Sequence, residues 1–205
     1  MRKTIGGGLV ALAALFAAQL VAAVAAGETG GPYAAATRAS HIEAVLNALG
    51  QATPAELTEG NDFARALARG ACAAGAERLR VECLTVAVRR YCHDRSGDAA
   101  ARCPLTMDIL VSSLLAEEQL IPLEKRYQII RENHDYRAAL AHEIHRLEGS
   151  LAVDFHLRAG VPATTNDAKT LAPAIDRYCL VNTDETKVSY PTCVASLVWF
   201  LRGPQ

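Results

Sequence analysis

From Leu123 to Gly160 the chain carries no proline, and Leu123, Tyr127, Ile130, Ala141, Ile144, Leu151 and Phe155 recur on four- and three-residue steps. That spacing keeps apolar side chains on one helix face, so it predicts a single amphipathic helix, with Gly149-Ser150 as a kink point. At 1.5 Å per residue such a helix would span over about 50 Å, which makes it the expected central scaffold. Shorter periodic segments flank it. Ser40-His41-Ile42-Glu43 and Thr53-Pro54-Ala55-Glu56 fit the capping box and predict two short opening helices. Asn61-Asp62 is a cap for the next, which carries Phe63, Leu67, Leu79, Val81 and Val86 towards Tyr91. Pro104 is expected to begin a helix through Ile109, Leu110, Leu114 and Leu115 that Pro122 ends. A helix from about Ala168 to Val181, the turn Asn182-Thr183-Asp184-Glu185, and a helix from Pro191 to Leu201 complete the pattern. The apolar run Val194–Leu201 is too short to span a bilayer and reads as a buried C-terminal helix.

The start of the chain differs in composition. Arg2 and Lys3 precede an uncharged run from Thr4 to Ala26, and Ala23-Val24-Ala25 offers an A-x-A cleavage site. Residues 1–26 therefore read as a signal peptide and 27–205 as a single exported helical domain, the competing reading being a retained anchor. Few aromatics and much Ala, Leu, Glu and Arg favour helix throughout. The expected fold class is all-α, a disulfide-stapled helical bundle built around one long central helix.

Six cysteines give that bundle its staples. Cys72, Cys83, Cys92, Cys103, Cys179 and Cys193 form an even set in a chain expected to meet oxidising conditions, so three disulfides are the default. On one unbroken helix, residues 11 apart lie about 16 Å from each other, whereas a disulfide needs Cα atoms within about 7 Å. Each C-x10-C pair must therefore straddle a turn or find a distant partner. The polar stretch His93–Asp98 and the turn at Asn182 supply such turns, which favours sequential pairing; for Cys72 and Cys83 only Gly70 and Gly75 suggest a break. A C-x-x-C redox pair and paired zinc-binding cysteines are absent from the sequence.

Candidate chemistry is sparse. His134, His145 and His156 return to one angle of the long helix but lie about 16 Å apart along it, too far to share an ion. His142, His145 and Glu148 occupy successive i+3 positions, a plausible ligand set for zinc or another transition metal; no other cofactor is expected. His142-Glu143-Ile144-His145 is one residue short of the zinc-protease H-E-x-x-H spacing. Nucleophile-elbow, phosphate-loop and dinucleotide motifs are missing, Glu117-Glu118 reads as solvated surface, and Arg89-Arg90-Tyr91 reads as an ordinary helix face. With 21 basic and 22 acidic residues, the chain has no net field to attract nucleic acid, and no membrane span is expected after leader removal. The expected function is that of an exported noncatalytic domain, protein-binding or structural, with an unidentified protein partner. The alternatives are a metal-handling protein using His142, His145 and Glu148, and a small hydrolase whose residues the motifs do not reveal.

Overall fold

Helix formers and apolar periodicity produce eight α-helices and no strand among the described residues of the computed structural model, which are 32–73, 77–186 and 188–203. They are α1 Pro32–Gln51, α2 Pro54–Arg69, α3 Glu77–His93, α4 Gly97–Leu120, α5 Leu123–Glu132, α6 Tyr136–Ala159, α7 Ala168–Thr186 and α8 Tyr190–Arg202. The leader expected at 1–26 lies outside the described residues. Thr53 caps α2 as its sequence predicts: its Oγ1 accepts from the Glu56 amide at 3.2 Å, and Glu56 Oε2 accepts from the Thr53 amide at 2.7 Å. Ser40, by contrast, lies inside α1, which already runs from Pro32, and Asn61-Asp62 lies inside α2. A capping signature needs a helix end, and the packing of α1 on α4, α7 and α8 carries the helix straight through Ser40.

The single helix expected from Leu123 to Gly160 is two helices. Asn133 leaves helical geometry at φ −124° and ψ 126°, its side chain donating to the Ile129 carbonyl at 2.9 Å. Asp135 then accepts from the Ala138 amide at 3.1 Å and starts α6. Two short polar side chains that offer the backbone alternative hydrogen bonds thus break the helix, at the one place where the apolar stripe is interrupted. The expected kink at Gly149-Ser150 is absent, since α6 passes through both residues.

The central position belongs to α4, on which α1, α2, α3 and α8 all pack. Its start is also earlier than expected: α4 begins at Gly97, whose φ of +60° suits glycine, and Pro104 sits inside it at an exposed position. That proline removes one internal hydrogen bond. The Cys92–Cys103 disulfide and the burial of Thr106, Met107, Ile109 and Leu110 just beyond hold the first turns in place. Gly97–Glu117 is the one stretch among the described residues long and apolar enough, by length and composition, to cross a bilayer. Here that apolarity goes into the centre of the bundle. Two hydrophobic clusters result. The larger joins Leu46, Phe155, Leu171, Ile175 and Leu197; the smaller gathers Ala64, Met107, Leu110 and Leu114; Trp199 of α8 packs against both.

All six cysteines are bridged in sequential order, Cys72–Cys83, Cys92–Cys103 and Cys179–Cys193, with Cα atoms 5.6, 5.6 and 5.7 Å apart. They tie α3 to the end of α2, α3 to α4, and α7 to α8. Three intramolecular disulfides are consistent with an oxidising compartment. The turn expected at Asn182–Glu185 is helical, because α7 continues to Thr186. Asn182 is buried there, donating to the Tyr178 carbonyl at 2.8 Å and accepting from Arg158 at 3.0 Å. A buried amide with both ends paired stabilises helix where its sequence neighbours suggest a turn.

Candidate functional site

Glu59, Phe63 and Leu67 recur at i, i+4 and i+8 on one face of α2, and Cys83, Val86, Ala87, Arg90 and Tyr91 line the facing side of α3, with Asp94 just beyond its end. The two helices meet at the Cys72–Cys83 bridge and leave between them a groove of about 1030 Å³. Its floor is apolar. Phe63 stacks on Tyr91 with ring centroids 4.3 Å apart, and Val86 stays 48% exposed although a valine there would ordinarily be buried in a two-helix contact.

The end opposite the disulfide is closed electrostatically. Arg95 pairs with Glu59 at 2.5 Å and lays its guanidinium 4.4 Å from the centre of the Tyr91 ring. Its hydrogen bond holds the Glu59 carboxyl below its ordinary value and raises the Arg95 guanidinium in turn, while burial pushes the Tyr91 hydroxyl up. The groove therefore has a rigid aromatic wall and a charged rim. The sequence places Phe63, Leu67 and Val86 on one helix leading towards Tyr91; they stand instead on two helices, α2 and α3, whose facing sides leave the groove between them.

In comparisons with known proteins, no family model matches the chain, and no curated protein or solved structure matches it either. The site is therefore read from its own residues.

The histidine cluster does not converge. His142 and His145 are exposed on α6, and the His145 ring leans on Phe200 with centroids 5.3 Å apart. Glu148 is only 4% exposed. Among the described residues no group of three His, Cys, Asp or Glu side chains is placed to hold a metal ion, so these three do not form a ligand set. His134 lies in the break between α5 and α6, off the helix face expected to align it with His145 and His156, and His156 Nδ1 is hydrogen-bonded to the Val161 carbonyl oxygen at 2.9 Å.

Glu117 is likewise not the solvated surface group its neighbour in sequence suggests. It accepts from Arg65 of α2 at 2.8 and 3.4 Å and lies close enough to Glu148 for the two carboxyls to repel. Burial, and then that like charge, push the Glu148 carboxyl up to about 7. A second buried carboxylate, Asp176 of α7, accepts from Arg38 at 2.8 Å and from the Tyr190 hydroxyl at 2.6 Å, which joins α1, α7 and α8.

Proposed function

We propose that this is an exported, noncatalytic helical domain that binds another protein through the groove between α2 and α3. The observation that carries the reading is the apolar floor of Phe63, Leu67, Val86 and Ala87, left open between two disulfide-joined helices. A groove of this form accepts the apolar face of an amphipathic helix, whose anchors repeat every three or four residues as the floor's own side chains do. The Phe63–Tyr91 stack and the Arg95–Glu59 pair hold the wall in one shape, so a partner would meet a preorganised surface. Export is supported by the composition of residues 1–26 and by the three disulfides.

A photoreactive residue placed at Val86 or at Arg90, in protein expressed in its native host, should capture one and the same protein; the same residue at Leu157, which is 77% exposed on α6 and away from the groove, should not. The Val86→Glu substitution should abolish that capture while leaving the helical circular dichroism unchanged. Capture from Leu157 as efficient as from Val86, or different proteins from the two groove positions, would remove the groove from the function. N-terminal sequencing of the exported protein should begin at Ala26 or Gly27.

A further inference from the structure

The geometry points to a proton-operated switch, in which α5 and the first half of α6 form an arm that is docked on the bundle while Glu148 is protonated and is released when Glu148 ionises. Three observations about the arm carry it. No cysteine lies between Cys103 and Cys179, so none of the staples reaches α5 or α6. The two halves of α6 are held very differently. Leu151, Ala152 and Phe155 are buried in the larger cluster, and Asp154 and Arg158 bond to Tyr178 and Asn182 of α7 at 2.6 and 3.0 Å, whereas none of residues 136–147 is buried. Between the halves stand Gly149, whose backbone lies beside the Phe200 ring, and Ser150, whose hydroxyl donates to the Arg146 carbonyl at 2.9 Å, a bond of the kind that bends helices. The other end of the arm is the joint at Ile121-Pro122.

Among the described residues Ile129 is the buried residue of the arm's α5 half and Glu148, 4% exposed, that of its α6 half, and Glu148 makes no hydrogen bond there. On the α4 side it faces Glu117, with Arg65 of α2 bonded behind it. The charged group that α5 brings to the end of α4 is Arg126, whose guanidinium is taken up by the Ile121 and Glu117 carbonyls at 3.0 and 2.6 Å. On α8 the arm meets the Phe200 ring, and on α6 itself the neighbouring charges are His145 and the Glu143–Arg146 pair. A neutral carboxyl is tolerated in that setting. A carboxylate without a donor, opposite another carboxylate, is not, and swinging the arm away returns it to water.

The direction follows from the raised value. Docking is undisturbed below the carboxyl's ordinary 4.5, weakens as pH rises from there to about 7, and changes no further above. Amide hydrogen exchange of the oxidised protein, corrected for intrinsic rates, should report arm opening across residues 123–148 roughly 25-fold greater at pH 8 than at pH 5.5, with the amides of α1 and α7 unaffected. Glu148→Gln, which keeps the shape of the protonated acid, should hold the arm docked at both pH values. His145→Gln, which removes the nearest titratable ring, should leave the wild-type profile intact. Equal exchange in the arm at both pH values would overturn the switch, as would a rise that persists in Glu148→Gln, one that disappears in His145→Gln, or one shared by every helix.

Discussion

Gly60 shows how closely single positions in this bundle are specified. It is buried on α2 where that helix crosses α4, and a Cβ built there would stand 2.7 Å from Leu110 Cδ1 and 3.0 Å from Met107 Sδ. Leu110 and Met107 are themselves almost wholly buried, so neither can retreat into solvent. Overpacking of this kind costs about 1–3 kcal/mol, and the better helix propensity of alanine offsets about 1 kcal/mol of it. Gly60→Ala should therefore lower the unfolding free energy by about 1 kcal/mol in urea titration, and an increase would show that the smaller cluster is looser than its packing implies. Nothing in the local sequence singles out Gly60, because the constraint comes from side chains roughly 50 positions away. Glu148 is similar. As the third residue of an i+3 series it reads as a ligand candidate, but what governs its chemistry is burial against α4, and burial depends on which helix happens to be opposite.

At the scale of elements, short-range signals succeeded where the relevant interactions are short-range. The Thr53 capping box is a reciprocal pair within four residues, and it forms as written. The cysteine pairing was legible for a geometric reason: a separation of 11 cannot be bridged along one helix, so each pair marks a helix–helix junction, and sequential bridges are seen at all three. Each closes a loop of a dozen or so residues, worth about 3 kcal/mol on the chain-entropy estimate. Replacing both Cys92 and Cys103 with serine should lower stability by about that amount in denaturant titration, and should also expose the start of α4, where Pro104 already costs a hydrogen bond. A loss under about 1 kcal/mol would mean that the packing of α4 alone holds its first turns. The break between α5 and α6 was not legible from periodicity, which tolerates a gap in the apolar stripe. It becomes readable only when Asn133 and Asp135 are taken as competitors for backbone hydrogen bonds.

Across the whole molecule, one of the bonds that reach far along the sequence is charged. Asp176 joins Arg38, 138 positions away, to Tyr190 and so locks α1, α7 and α8 together. Burial, and then the bond to Asp176, push the Tyr190 hydroxyl well above its ordinary value. Asp176→Asn would leave the half-buried Arg38 guanidinium without its counter-charge, and the expected loss is about 2–3 kcal/mol, just under the range of about 3–5 kcal/mol for a broken buried pair because Arg38 keeps some access to water. A loss below about 0.5 kcal/mol in urea titration at pH 7 would show that the three helices are held by apolar packing alone. The sequence by itself determined that the protein is all-α and where its helix junctions are stapled, since helix propensity, apolar period and the reach of a disulfide all act over a few turns of chain. Only the tertiary structure decided that α4 and not the 123–160 segment is central, that Phe63 and Val86 floor a groove, and that Glu148 is sealed against a second carboxyl. Each of those depends on which helices face one another, and that is settled by burial summed over the whole bundle, with no local pattern to announce it.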